Sequence, residues 1–187
     1  MDDLDKLGPL KHLVGTWEGD GGLDVSYHHA EGAVGDTPFR ERTTFSPFGP
    51  VDNGTQQLYG LDYRMAAWRG DEVDPFHTEI GYWLWDAAEQ QVMRCFMVPR
   101  GTAVLAGGTA DADATTFTMV GEQGSATDGV IENRYLADKA SCVRYECTIT
   151  IDGPDQWSYT QTTVLRMPQF PDLYDHTDAN TLRRIVG

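Results

Sequence analysis

The chain has 187 residues, enough for one domain with a sizeable core, and no linker-like change in composition divides it. Fourteen Lys and Arg stand against 29 Asp and Glu, and the resulting formal charge of −15 repels nucleic-acid phosphates and anionic lipid surfaces. The start, MDDLDKLGPL, lacks the basic and apolar regions of a signal peptide, and no apolar run reaches the roughly 18 residues of a membrane helix. We therefore expect a single cytoplasmic domain, 1–187, that binds neither nucleic acid nor membranes. Cys95, Cys142 and Cys147 are an odd number without CxxC spacing, which favours reduced packing residues.

Nearly the whole chain shows a strand pattern bounded by Gly, Pro, Asn or Asp, after a short helical turn in LGPLKHLVG. The segment 26–39 is longer than ordinary hairpin loops and predicts a lid or portal, and a further irregular segment covers about 46–57. LYDHTDANTLRR, residues 173–184, is expected to be a C-terminal helix. The ten predicted strands are 15–26, 40–48, 55–68, 77–87, 91–99, 101–110, 115–123, 130–140, 141–152 and 156–167.

The short connections favour sequential antiparallel pairing, and closure into an up-and-down barrel removes the exposed strand edges. The sequence therefore predicts an all-β, ten-stranded antiparallel barrel with a short N-terminal helical turn and a C-terminal helix. Ten strands enclose more space than their own side chains fill, so a cavity is expected. The strand QWSYTQTTVLRMP puts Trp157, Tyr159 and Leu165 on one face with Gln161 and Thr163, which would line a mixed apolar and polar pocket. In HTEIGYWLWDA both faces are apolar, so the inward face of that strand stays open.

The common catalytic motifs are missing: the sequence has no GxSxG elbow, P-loop, HExxH or Rossmann glycine fingerprint. The most informative short pattern is GxWxGxG, formed by Gly15, Trp17, Gly19 and Gly21 at the start of the first strand. Its odd positions share one face, so Trp17 is directed inward while the glycines permit close approach. This pattern indicates a tryptophan that plugs the bottom of the barrel and carries no chemistry itself.

Together with PFHTEIGYW in mid-chain and LYDHTDANTLRR at the end, the GxWxGxG motif resembles the nitrobindin family, heme-binding relatives of the fatty-acid-binding proteins, over residues 7–185. The resemblance implies a ten-stranded lipocalin-like barrel that holds heme b, with one histidine near the C-terminus as the axial iron ligand. By motif position that ligand is His176, while His77, Val98 and Leu165 belong to the distal pocket. The family also implies reversible NO binding and isomerisation of peroxynitrite to nitrate.

Two readings of each histidine remain open from the residues alone. In the first turn of a helix, His176 would stay neutral beside the positive helix end, with Asp175 or Asp178 holding the proton of its other ring nitrogen. Alternatively, Asp175 or Thr177 caps the helix and His176 is merely exposed. His77 is either a hydrogen-bonded structural group or a polar group on the distal side.

Two other functions compete with heme binding. The first is a heme-free carrier of a small apolar ligand such as a fatty acid, for which the same cavity would serve. The second is an enzyme that uses Glu79 as a general base, but no paired acid supports it. The C-terminal stretch carries one residue more than the nitrobindin pattern, which is typical of a divergent branch in which heme could be absent. The oligomeric state is not determined by the sequence.

Overall fold

The computed structural model describes residues 3–185, and within them it contains a 3-10 helix, eleven strands and one short α-helix. The 3-10 helix, Asp3–Leu13, precedes the first strand, and the α-helix α1, Arg134–Lys139, lies between the eighth and ninth strands. No helix in this part of the chain is long and apolar enough to cross a membrane. The strands are β1 Gly15–His28, β2 Ala33–Asp52, β3 Gln57–Trp68, β4 His77–Asp86, β5 Gln91–Val98, β6 Thr102–Thr109, β7 Thr116–Gln123, β8 Gly129–Glu132, β9 Ser141–Gly153, β10 Gln156–Arg166 and β11 Tyr174–Arg184.

The strands close into one barrel in the order β1-β11-β10-β9-β7-β8-β6-β5-β4-β3-β2, with β2 returning to β1. Every pairing is antiparallel except the short contact of β7 with β8, which is parallel. The predicted all-β barrel is confirmed. The predicted count of ten and the uniformly antiparallel arrangement are wrong in detail, because eleven strands form the wall and β8 is inserted between β6 and β7.

The eleventh strand is the segment that was predicted to be the C-terminal helix. β11 pairs with β10 through Thr163 and His176, and with β1 through Val25 and Thr177. Without it, β1 and β10 would be two unpaired edges, so the hydrogen bonds of both edges favour an extended conformation over a helix. Side chains in this stretch do alternate between the two faces of a strand, but most of the inward ones are polar. A search for alternating hydrophobic residues therefore does not detect the strand. The inward series is His176, Asp178, Asn180 and Leu182.

Three further predicted segments differ from the structure. The expected loop 26–39 is the end of a hairpin, because β1 and β2 pair as far as His28 and Ala33 around a turn of residues 29–32. The segment 46–57 continues β2 and turns at 53–56 into β3. The expected strand 130–140 ends at Glu132, where Asn133 caps α1 by accepting hydrogen bonds from the next N–H groups.

The bottom of the barrel is closed around Trp17, which is 1% exposed. Its indole N–H donates a 2.7 Å hydrogen bond to the carbonyl of Leu13, at the end of the 3-10 helix. The ring of Trp157 meets it edge-on at 6.3 Å, and the guanidinium of Arg184 lies 4.2 Å from its centre. The hydrophobic effect therefore fixes the 3-10 helix as a cover, with three of its leucines buried: Leu7, Leu10 and Leu13.

The structure requires glycine at some positions of the GxWxGxG motif but not at all of them. A Cβ at Gly19 would lie 2.5 Å from the carbonyl oxygen of Thr181 on β11, so close strand approach requires its absence. Gly15 has a φ of 126°, which L residues rarely adopt. Gly21 faces open space, and nothing in the structure requires glycine there.

Candidate functional site: the barrel cavity

The barrel encloses a cavity of about 790 Å³, within the range of small-molecule binding sites. The turn between β1 and β2 lines one end, and Trp83 and Trp157 line the cavity towards the floor. The inward face of β4, which the sequence left open, is the one that carries Glu79 and Trp83. The structure brings the four pocket residues suggested by the resemblance to this one cavity: His77, Val98, Leu165 and His176.

The middle of the cavity is crossed by a buried polar network, here called the Arg94 cluster, made of Arg94, Glu79, Tyr63, Tyr145 and Gln161. The guanidinium donates to Glu79 at 2.5 Å, to Tyr63 at 3.0 Å and to Gln161 at 2.9 Å, and it also contacts the hydroxyl of Tyr145. Tyr63 donates to the same carboxylate at 2.7 Å. A buried charge is tolerated only when it is paired and hydrogen-bonded, and here one acid and one base satisfy each other.

The pKa of Glu79 reflects this pairing. Burial alone would raise the pKa of the carboxyl, but the charge of Arg94 and the hydrogen bond from His77 lower it to about 2. A carboxylate with so low a pKa is a weak base at neutral pH. The low pKa therefore disfavours Glu79 as a general base, and its contacts indicate that it holds Arg94 and His77 in place.

Two other carboxyls on the cavity wall, the buried Glu41 and the partly buried Asp178, have only neutral hydrogen-bond partners. Glu41 accepts from Tyr159 at 2.8 Å and from Asn180 at 3.2 Å, and burial raises its pKa. Asp178 accepts from Gln161 at 2.9 Å, and burial, opposed by the charge of His176, raises its pKa to about 7. Both carboxyls line the cavity, so its interior is distinctly polar.

His176 projects from β11 into the cavity and is held by Asp24 on β1. Its Nε2 lies 2.5 Å from Oδ2 of Asp24, whose other oxygen accepts a 2.6 Å hydrogen bond from Ser26. Burial lowers the pKa of the imidazole, but the hydrogen bond and charge of Asp24 outweigh burial and raise it. The pKa of Asp24 is correspondingly lowered by His176 against the effect of burial. The predicted effect of a helix dipole on His176 is wrong, and the carboxylate that orients the ring is Asp24 instead of Asp175 or Asp178.

His77 starts β4 on a different part of the cavity wall, four strands from β11 in the barrel order. Its Nε2 lies 3.1 Å from Oε1 of Glu79. Burial lowers the pKa of this imidazole, whereas Glu79 raises it, and the net direction is upward. The structure thus shows the hydrogen-bonded group that one reading expected, in a position that also faces the cavity.

The inward residues that sequence reasoning missed are Asp24, Glu41 and Arg94. Arg94 carried the clearest signal, because it occupies an inward position between Val92 and Phe96 of β5, where a buried charge demands a partner. Within residues 3–185 no group of three or more His, Cys, Asp or Glu side chains could hold a metal ion.

A closed barrel with a polar cavity and two carboxylate-oriented imidazoles on its wall is the architecture of a small-molecule-binding β-barrel. Comparison with family models matches residues 6–184 to the THAP4-like, heme-binding β-barrel domain. The chain belongs to this nitrobindin-like family, and the resemblance read from the three sequence motifs is confirmed.

Comparison with solved structures gives the same architecture. The crystal structure of Rv2717c from M. tuberculosis is 20% identical, with a TM-score of 0.66 over 100% of this chain and 99% of that one. At this identity the likeness supports the fold alone. The S-type phycobiliprotein lyase CPES from Guillardia theta matches at 12% identity over 95% of this chain and 91% of that one, and its TM-score of 0.47 supports no argument. No curated protein matches significantly.

The residues of the cavity fit a heme with one axial imidazole. Asp24 engages Nε2 of His176, while Nδ1 makes no hydrogen bond with residues 3–185. A metal-bound histidine commonly donates its second ring N–H to a carboxylate, which fixes the tautomer and leaves the other nitrogen's lone pair available. Apolar walls for a flat ring are provided by residues on several strands or next to a strand end: Phe39, Met65, Phe76, Val98, Leu165 and Met167.

Proposed function

We propose that this protein binds heme b in the barrel cavity, with His176 as the axial ligand, and accepts small nitrogen oxides on the opposite, distal side. The observation that carries the proposal is the His176–Asp24 pair on the cavity wall, 2.5 Å apart, in a chain of the heme-binding barrel family. Reversible NO binding and isomerisation of peroxynitrite to nitrate are the proposed activities. Bound heme would supply a Lewis-acidic iron for the oxygen or nitrogen of such a ligand.

The protein's own contribution is ligation, orientation and enclosure. Asp24 holds the proton on Nε2 of His176, so the imidazole keeps one orientation and the lone pair of Nδ1 points away from that carboxylate. His77 stands on another wall, where its Nε2 donates to Glu79. The raised pKa of this imidazole favours the protonated ring, whose Nδ1–H is then a hydrogen-bond donor towards a distal ligand. The apolar walls exclude water and confine reactive fragments, so isomerisation needs no further acid or base.

The polar interior argues against the heme-free carrier of a fatty acid. A long acyl chain in this cavity would lie beside Glu41, Glu79 and Asp178, and these hydrogen-bonded polar groups interrupt the apolar surface that the chain could cover.

Hemin titration of the purified protein tests the ligand assignment. Wild type should give a defined Soret band, His176→Ala should shift or abolish it, and His12→Ala, at a histidine of the 3-10 helix outside the cavity lining, should leave it unchanged. An unchanged spectrum in His176→Ala would refute the axial role. Displacement of a fluorescent lipid probe, indifferent to residue 176, would support the carrier instead.

The distal side is tested on the heme-loaded protein. His77→Ala should keep the Soret band of the axial complex but change the NO dissociation rate, because the distal donor is lost. Stopped-flow decay of peroxynitrite with nitrate quantification should show faster decay and a higher nitrate yield than free buffer. A decay rate equal to that of His176→Ala protein would count against isomerisation without affecting the heme assignment.

A further inference from the structure

The open end of the cavity carries two arginines that have no acidic partner. Arg69 directly follows β3, Arg100 lies in the turn between β5 and β6, and both line the cavity. Among the residues that the structure describes, neither guanidinium forms a hydrogen bond or an ion pair. The third arginine on the cavity wall, Arg94, is already paired with Glu79. In a chain with a formal charge of −15, the mouth therefore offers two cations that are available to an anionic group.

Arg69 lies on a segment that is fixed in place. Arg40 donates to the carbonyl of Gly70 at 3.1 Å and to that of Glu72 at 2.9 Å, which ties the segment after β3 to β2. The guanidinium of Arg69 lies over the ring of Phe76, 4.4 Å from its centre, and Phe76 itself lines the cavity. This stacking holds the cation beside the cavity wall and leaves its N–H groups without a partner.

Arg100 lies on a second fixed turn. The side-chain amide of Asn133 donates to the carbonyl of Arg100, and the backbone N–H of Asn133 donates to the carbonyl of Gly101 at 3.0 Å. β4 runs between β3 and β5 in the barrel and begins at this end with His77. Arg69 and Arg100 therefore flank His77, on strand ends roughly 10 Å apart, because neighbouring strands are about 4.8 Å apart.

The acidic residues that line the mouth are engaged elsewhere. Glu132 accepts a hydrogen bond from the hydroxyl of Ser141 at 3.1 Å and from the backbone N–H of Cys142 at 2.8 Å. Glu31 lies 3.9 Å from the imidazole of His28. Three further acids near the mouth lie outside the cavity lining: Asp71, Glu72 and Asp74. No carboxylate that lines the cavity is thus in contact with either arginine of the mouth.

The part of the cavity below the histidines disfavours anionic groups. On β4, Glu79 is two residues further from the mouth than His77, and on β11, Asp178 is two residues further than His176. A carboxylate placed there would approach other carboxyl groups and lose its hydration without a free cation in exchange, because Arg94 is already paired. A bound molecule that carries carboxylates therefore turns them towards the mouth.

We propose that Arg69 and Arg100 bind the two propionate carboxylates of heme at the mouth and so determine which edge of the molecule faces out; this inference rests on the proposed function. Heme carries both carboxylates on one edge, and the mouth offers two guanidiniums on separate, fixed turns. Arginine binds carboxylates through paired N–H donors, which adds direction to the attraction between the charges. The two arginines are thus specificity-determining residues that favour a ligand with two acids on one edge.

Comparison of hemin with hemin dimethyl ester tests the two arginines, because the ester keeps the iron and loses both charges. Quenching of tryptophan fluorescence gives the dissociation constants, since Trp83 and Trp157 line the cavity. Arg69→Gln and Arg100→Gln should each weaken hemin binding roughly twofold to fivefold, and the double variant roughly tenfold, as for ion pairs at an exposed site. The affinity for the ester should stay the same in all three variants.

The matched control is Arg64→Gln/Arg166→Gln, which removes the same two charges at exposed positions outside the cavity lining. Its preference for hemin over the ester should equal that of wild type. An equal loss of preference in this control would show that only the net charge matters and would overturn the proposal. Circular dichroism verifies that each variant is folded.

Iron-free protoporphyrin IX separates this inference from the proposed function, because it has the same propionates and no iron. Its affinity should fall in Arg69→Gln/Arg100→Gln and stay the same in His176→Ala. If hemin requires His176 but neither porphyrin distinguishes the double arginine variant from wild type, the propionate site is refuted and the axial ligand stands. If both porphyrins depend on the arginines while the hemin spectrum is indifferent to residue 176, the axial assignment fails and the propionate site stands.

Two other outcomes overturn the proposal. One is a wild type that binds neither hemin nor protoporphyrin IX, which would refute the proposed function as well. The other is a double variant that loses affinity for oleate but keeps its affinity for both porphyrins, because the arginines would then serve the single carboxylate of a fatty acid.

Discussion

Replacing Glu79 by Gln should be among the most damaging single changes to the stability of this barrel. The Glu79–Arg94 pair has a 2.5 Å contact between side chains that are only 2% and 6% exposed. Glutamine keeps the shape and one acceptor but removes the charge, so Arg94 is left as a buried cation without a counterion. Breaking a buried pair in this way costs about 3–5 kcal/mol.

The pKa of Glu79 gives an independent magnitude. A carboxyl whose pKa is about 2 in the fold and about 4.5 when unfolded contributes about 3 kcal/mol to the free energy of unfolding. Because the folded pKa is depressed, this contribution is fully present above pH 4.5 and is lost as the pH falls through about 2. The difference between wild type and Glu79→Gln should therefore be largest near neutral pH and should shrink in acid.

Urea unfolding and thermal melting across this pH range measure the effect. For a domain of this size, a loss of about 3 kcal/mol corresponds to a melting temperature roughly 6–12 °C lower. Glu18→Gln is the matched control, since its pair with Arg42 is exposed on both sides and its loss should cost less than about 0.5 kcal/mol.

The double variant Glu79→Gln/Arg94→Met separates pairing from packing. Removing the buried cation together with the buried anion should recover part of the stability lost in Glu79→Gln, because no uncompensated charge remains. A loss below about 1 kcal/mol in the single variant, or a loss that is the same in acid and at neutral pH, would show that Arg94 is satisfied by its neutral partners and would refute the reasoning.

Two more variants test the site and the wall. If His176 is the axial ligand proposed above, Asp24→Asn should weaken hemin binding by roughly 10-fold to 100-fold, because His176 loses the carboxylate that orients it and raises its basicity; equal affinity in a hemin titration would contradict that role. Gly81→Ala should destabilise the fold by more than about 2 kcal/mol, since its Cβ would lie 1.9 Å from the carbonyl oxygen of Cys95. Gly21→Ala, with no atom within 4 Å, should change the melting temperature little.

The barrel class could be predicted from the sequence because alternation is strong in strands with one apolar face, as in β9 with Tyr145, Cys147 and Ile149 inside. The prediction failed where that contrast is absent. β11 has polar residues on both faces, so its period of two is invisible to a hydrophobic pattern. Its conformation depends on two strand edges more than 100 residues apart from each other in the chain, β1 and β10.

The sequence likewise predicted one part of the candidate site and missed another. Motif position directed attention to His176 and His77, and the structure places both on the cavity wall. The sequence could not identify their partners, because Asp24 is 152 residues from His176. Missing this partner changed the expected chemistry of His176. A helix end would have kept the imidazole neutral, whereas Asp24, on the strand paired with β11, raises the pKa of the imidazole.

The sequence by itself determined the class of fold, the family and two histidines that line the cavity, since these depend on local alternation and on short motifs. Only the tertiary structure decided that the last segment closes the barrel as a strand, that Arg94 and Glu79 neutralise each other inside it, and that Asp24 orients His176. The physical reason is that strand pairing and buried charge pairing join residues far apart in the chain, and their energies depend on closure of the whole barrel.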